Sequence, residues 1–295
     1  MLEAQPNAGA RSGPFSHIRN VFAEFRKSYA FIERGMYLTK RYWAWELVWI
    51  TYNIINALSV TFIAASLQKT IPNVSFTAQQ ISQAILYLTI GTAIWTYVSV
   101  VFDNVTETVT MERWEGTIEY TFMAPVSRIT HMFGACSFAL LHGFIMTAVQ
   151  LFVVGAFFHL DLSHADWAAT IVLLASGSIS LIGLGTVSAI LPMLFTERGA
   201  QMAYIIRGIM LLVSGVYYPI SVLPGWLQVV SRVTPTTYLL DGLRLSIQAG
   251  HSIGSLWFDE WPLLVCGVVS VPLGLYIFSL AEHYAKVTGR LKRNG

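Results

Sequence analysis

Five acids crowd one short stretch of the chain, Asp103, Glu107, Glu112, Glu115 and Glu119, answered there only by Arg113 and Arg128. Glu112, Glu115 and Glu119 recur at i, i+3 and i+7, which sets three carboxylates on one face of a helix. Met111, Trp114 and Ile118 repeat that spacing on the neighbouring face. An acidic ridge beside an apolar one suits docking into a groove of another protein, and it equally fits a solvated loop helix. Pro125 is expected to end the helix, because the residue before proline avoids the α conformation. Catalytic groupings are sparser. The seven histidines (His17, His131, His142, His159, His164, His251 and His283) show no H-E-x-x-H or related spacing, so no metal site is expected. No G-x-x-x-x-G-K-[ST] occurs, nor any Gly-Lys pair, so the chain has no P-loop in which to cradle a nucleotide. Asp241, Arg244 and His251 come nearest to an acid–base cluster, and a stabilised hairpin accounts for them.

The elements that position these residues follow from composition. The chain has 295 residues, 55% hydrophobic and only 12% charged, where a soluble domain carries about 25% charged. That excludes disordered, nucleic-acid-binding and ordinary soluble-enzyme classes and points to an all-α membrane protein. Six stretches are long and apolar enough to span: 44–67, 81–102, 130–158, 167–195, 203–221 and 261–281. The third and fourth have length to spare for tilting. Residues 1–14 are polar and the first long apolar run starts only near Trp43, so no cleaved signal peptide is expected. Lys and Arg number seven in residues 1–43, two in 103–129, two in 196–207 and four in 282–295, fifteen of the eighteen in the chain. The other three, Lys69, Arg232 and Arg244, fall on the opposite side. The positive-inside rule therefore expects both termini in the cytoplasm, with the cell (inner) membrane as location. Tyr42, Trp43, Trp45 and Trp49 fit an interfacial belt at the start of the first span. Cys136 and Cys266 lie in apolar stretches and read as small buried hydrophobes.

Three further patterns carry information. Phe15, Ile18, Phe22, Phe25, Tyr29, Ile32 and Met36 alternate spacings of 3 and 4, one face of an amphipathic helix. With cations on its other faces, that helix is expected in the membrane interface within a 1–43 N-terminal segment. A coiled-coil seam or a soluble partner is the alternative. In the second span, Thr89, Thr92, Thr96, Ser99 and Asp103 hydroxylate a single face, as glue between helices or as the wall of a pathway. Charges deep in the spans are scarce, and His142 there reads as a hydrogen-bonded structural residue, not a proton relay. Ser176/Ser180 and Gly185/Ala189 are small-xxx-small pairs suited to close helix contact. Residues 222–260, punctuated by Pro224, Gly225 and Pro235 after Pro219, are too apolar for a free loop. They are expected as a re-entrant outer gate that includes Trp226 and Tyr238. Residues 282–295 form a basic tail.

Three stretches resemble the permease subunits of type-2 ABC exporters. EGTIEYTFMAPVSR at 115–128 is similar to the family's acidic-Gly-Thr-acidic pattern with its Pro-x-Ser-Arg ending. Phe195 through Ala200 matches the turn after the fourth span. GVYYPISVLPGWLQVVSRVTPTTYLLDGLR at 215–244 is similar to its Pro…Leu-Pro-x-Trp-Leu…Pro-x-x-Tyr…Asp-x-x-Arg pattern. Trp114 departs from the family's frequent Glu-Arg-Gly-Thr, the basic residue here being Arg113. The resemblance implies a dimer of permeases, homodimeric or heterodimeric, served by two copies of a cytoplasmic ATPase. ATP and Mg are then expected in that partner, with no cofactor in this chain. It also implies a coupling helix at 107–120, with Glu112, Glu115 and Glu119 as its ridge and Gly116 permitting close approach. A pathway between the second and fifth spans would be lined by Thr89, Thr92, Thr96 and Ser99, with Met210, Ser214 and Tyr217 opposite. An apolar path with hydroxyls and no basic cluster leans toward an amphipathic or hydrophobic substrate such as a drug, antibiotic or lipid. A glycan exporter of the same architecture and a membrane-embedded lipid-modifying enzyme are the competing functions.

Overall fold

The computed structural model describes residues 14–70, 76–117, 120, 123, 128–195 and 198–288, and every regular element among them is helical. In chain order these are α1 (Pro14–Arg41), α2 (Trp43–Thr70), α3 (Ala78–Trp114), α4 (Arg128–Phe158), α5 (Trp167–Ser188) and α6 (Ile190–Leu194). They are followed by α7 (Gly199–Val213), α8 (Gly225–Val233), α9 (Pro235–Gln248) and α10 (Trp257–Val287). Single 3₁₀ turns at Ile220–Val222 and Ile253–Leu256 separate the last of these.

Among the described residues, five segments are long and apolar enough to cross a membrane: Trp43–Ser66, Ala78–Glu112, Thr130–Phe158, Trp167–Leu194 and Ile253–Val287. They coincide with five of the six expected spans. The remaining one, expected over 203–221, is helical only as the 15 residues of α7, about 22 Å against a hydrocarbon core of about 30 Å. Hydropathy continues past Val213 but the helix does not, because Gly215 adopts a left-handed φ of 74° and turns the chain.

The hub is α3, which packs against α2, α4, α5, α7 and α9. At 37 residues it runs about 55 Å, from the hairpin of residues 215–256 at one end to a turn at Glu115–Gly116 at the other. Around its hairpin half, Ile90, Val98 and Phe102 pack with Leu173, Leu239, Leu243 and Leu263. Around its turn half, Val105 and Val109 pack with Met132, Cys136, Met193 and Phe278, so Cys136 is the buried apolar residue expected of it. The contact between α5 and α10 is made by small residues. A Cβ on Gly183 would lie 2.1 Å from Ser270 Oγ, and one on Gly274 would lie 3.0 Å from the Gly183 carbonyl. Ser180 Oγ donates across the same contact to Leu263 O at 2.6 Å. Of the first small-xxx-small pair in the sequence, Ser180 lies at this close approach, while Ser176 bonds its own helix backbone. The second pair seats Gly185 against Val105 of α3.

Candidate functional site

At its turn end, α3 closes with a glycine cap. Gly116 has φ 70°, and Thr117 N–H donates to Glu112 O at 2.9 Å, the 6→1 bond of a Schellman motif. The expected 107–120 coupling helix therefore begins as the last turns of α3 itself, and Glu119, Ile118 and Pro125 lie outside the described residues. The acidic ridge is not uniform. Glu112 is only 3% exposed, held by His131 Nε2 at 3.0 Å and Arg34 Nη1 at 3.4 Å. Glu115 is partly exposed and binds the other arm of Arg34 at 2.8 Å. Facing outward around the turn are Met111, Glu115, Gly116, Tyr120 and Met123, with Tyr120 and Met123 each 73% exposed. A Cβ on Gly116 would meet nothing within 4 Å. Arg113 belongs to α3, but its side chain lies outside the described set.

Arg34 is placed by the way α1 packs. Ser28, Phe31 and Gly35 share a face by i, i+3, i+7 and lie on α4. Gly134 faces Phe31, Gly35 faces Phe138, and Ser28 Oγ donates to Thr130 O at 3.3 Å. Phe31 meets the His131 ring edge-on at 4.9 Å. Tyr29 and Met36 of the aromatic stripe point away from the protein and are exposed. Replacing Glu112 by alanine is expected to leave buried His131 and one arm of Arg34 without their acceptor. The loss should be about 1–3 kcal/mol, read as a lower melting temperature of the purified chain. Glu112→Gln, which keeps an acceptor for both, should lose less.

Along α3 the hydroxyl seam is turned into the protein, not onto its surface. Thr89, Thr92 and Thr96 are each 7% exposed or less. Thr89 meets Thr61 of α2 at 3.4 Å, Thr92 donates to Thr89 O at 2.9 Å, and Thr96 donates to Gln150 Oε1 of α4 at 2.6 Å. Met210 and Ser214 are buried as well, Ser214 against Thr236 of α9, while Tyr217 is half-buried beside the Leu239 cluster. The half of the seam nearer the hairpin therefore joins helices within one chain. Thr96→Val should deprive buried Gln150 of its donor and lower helix-bundle stability by about 0.6–2 kcal/mol. Thr96→Ser, which keeps the donor, should not.

Nearer the turn, two polar groupings went unpredicted. Glu46 of α2, His142 of α4 and Asn104 of α3 form a chain: His142 Nε2 lies 3.1 Å from Glu46 Oε2, and Nδ1 lies 3.2 Å from Asn104 Nδ2. Asn104 also donates to Val100 O at 2.7 Å, which fixes its amide with nitrogen toward the ring. Nδ1 then accepts and Nε2–H donates to Glu46, so His142 is hydrogen-bonded through both ring nitrogens and joins three helices. The second grouping links α3 to α7. Arg207 pairs with Asp103, Tyr204 donates to Glu107 at 3.1 Å, and the Arg207 guanidinium lies 4.9 Å from the Tyr204 ring centre.

At the hairpin end, Arg244 of α9 donates to Gly215 O at 2.9 Å and Val216 O at 2.6 Å, the carbonyls where α7 stops. Its guanidinium lies 3.7 Å from the Tyr87 ring centre. Gly91 permits this, since a Cβ there would lie 2.4 Å from Val216 O. The hydrogen bonds of Arg244 go to backbone, and His251 sits on the surface, so the expected stabilised hairpin is what Asp241 and Arg244 belong to. The prolines act as punctuation: Pro219 precedes a 3₁₀ turn, Pro224 caps α8 and Pro235 opens α9. Trp226 is 70% exposed, and Tyr238 donates to Arg232 O at 2.7 Å. Most of α9 is buried against α3, α5 and α10, which explains why this segment is so apolar.

Long apolar helices gathered on α3, closed by a packed hairpin at one end and presenting an exposed turn at the other, define a multi-pass membrane protein. Residues 30–247 match the ABC-2 type transporter family, and the chain belongs to it. It is the membrane-spanning permease component of an ABC transporter, a family of transport components that work with ABC ATPase partners. No curated protein matches the chain.

Proposed function

We propose that the chain is the permease subunit of an ATP-driven exporter in the inner membrane, acting as a dimer with two cytoplasmic ATPase subunits. Both termini and the Glu115–Gly116 turn face the cytoplasm, in keeping with the placement of fifteen of eighteen cations. The aromatic stripe of α1 rests in the interface. ATP and Mg are held by the partner. The observation that carries this reading is the exposed turn at the end of an unbroken 37-residue helix. Met111, Glu115, Tyr120 and Met123 offer an apolar, acidic knuckle, and Gly116 adds no bulk between it and a partner groove. Movement of the ATPases then reaches α3 directly and α1 and α4 through Glu112, which gives the tilt that alternating access requires. Because α7 is short, α8 and α9 re-enter to complete the fifth crossing and act as the outer gate. The cargo is an amphipathic or hydrophobic molecule of the drug, antibiotic or lipid kind.

The test is reconstitution with the ATPase encoded in the neighbouring reading frame. ATP-dependent accumulation of a fluorescent amphiphile inside inverted vesicles is the expected result. Uptake that is equal with and without ATP, from an intact complex, would overturn the exporter reading.

A further inference from the structure

The polar cluster between α3 and α7 has more acid than the fold uses. Asp103 and Glu107 face one cation between them, Arg207, so the cluster holds one more acid than base. Both carboxylates fall within the Ala78–Glu112 candidate span, and the ion pair is not sealed: Asp103 is 25% and Arg207 32% exposed. They sit near the turn end of a helix longer than the hydrocarbon core, where charges are tolerated if they line a water-filled cavity, and such charges mark a functional site.

The hydroxyl seam supplies an independent sign. Beyond Thr96 the same face of α3 continues through Ser99, Asp103, Thr106 and Thr110, at spacings of 4, 3 and 4. The threonines of the seam nearer the hairpin are hydrogen-bonded. Among the described residues, the hydroxyls of Ser99, Thr106 and Thr110 are buried without a partner, although Thr106 is only 2% exposed. Buried polar groups left unpaired by the fold call for another partner, and these flank Asp103 on both sides.

Arg207 shows what that partner resembles. Its guanidinium lies beside a carboxylate and close to the face of Tyr204, the surroundings that hold cations by charge and ring quadrupole together. We propose that Asp103, Glu107, Tyr204 and the adjoining hydroxyls form the inner mouth of the pathway and select a lipophilic cation as cargo. Arg207 occupies the cation position while the site is empty. An arriving monovalent cation takes Arg207's place on Asp103 and gives the cluster as many cations as acids. An anion of the same shape would draw Arg207 away and leave two carboxylates facing each other. This rests on the exporter reading and names its substrate class.

The probes are tetraphenylphosphonium and its anionic isostere tetraphenylborate, titrated into the permease–ATPase complex in zwitterionic nanodiscs, with ATP hydrolysis as readout. The wild-type complex should respond to the phosphonium at a concentration about tenfold below that for the borate. In Asp103→Asn/Arg207→Gln the ratio should fall to near one. Glu107→Gln, which keeps an acceptor for Tyr204, should reduce it partway and serves if the double variant does not assemble. A purely structural ion pair would change total activity and leave the ratio untouched. Equal response to both probes in the wild type, or a preference retained by the variants, overturns the proposal. A complex that hydrolyses ATP without moving any amphiphile fails the exporter reading instead.

Discussion

Arg244→Ala should be the most damaging single substitution in the hairpin, lowering stability by about 3–5 kcal/mol. Arg244 is 6% exposed and joins three elements: it belongs to α9, caps the carbonyls that end α7, and lies against Tyr87 of α3. Its removal strands two buried acceptors where the chain has already left helical geometry and cannot bond them otherwise. It also opens a space beside Gly91, which exists to let Val216 approach α3. Arg244→Lys keeps the charge but offers a point donor in place of a fork. It should fall between wild type and alanine. Thermal unfolding of the purified chain in detergent measures the order, and an alanine variant as stable as the lysine variant would show that the carbonyl caps contribute little.

Gly116→Val should act on the other end of α3 and in the opposite way, sparing the fold and breaking the coupling. A β-branched residue at φ 70° strains the turn by about 1–2 kcal/mol, yet its side chain enters open space. The bundle should therefore assemble, while recovery of the ATPase with the permease falls at least about tenfold, as for loss of an interface hot spot. Gly116→Asn separates the two effects, because asparagine tolerates the left-handed region. A defect in Asn as severe as in Val assigns the loss to bulk at the contact. A defect in Val alone assigns it to the turn.

The contrast between these two ends shows what a sequence can disclose. Five spans were visible because hydrophobicity over about 20 residues is a local property. The shortness of α7 was not, because one positive φ at Gly215 ends a helix without altering the hydropathy around it. The periodicity of the hydroxyl seam was legible down to the residue. Its function was not, since Thr96 is satisfied by Gln150 and Thr89 by Thr61, partners that no spacing rule connects. Glu112 shows the same limit: its helical face was read correctly, but that face meets Arg34 and His131 of other helices and is buried. Glu46, Asn104 and Arg207 escaped notice because each looks like an isolated polar residue until tertiary packing supplies its neighbour. Arg244 was recognised through the motif around it, and its work as a carbonyl cap became visible only where α7 stops.

If the turn of α3 is where the motor docks, a photo-crosslinking amino acid at Tyr120 tests it most directly. Tyr120 and Trp226 are comparably exposed, at 73% and 70%, and lie toward opposite ends of α3, so the same probe at Trp226 is the control. Irradiation of the intact permease–ATPase complex should link position 120 to the ATPase and leave position 226 unlinked. An ATPase that crosslinks at 226, or an intact complex silent at 120, would contradict both the docking surface and the orientation.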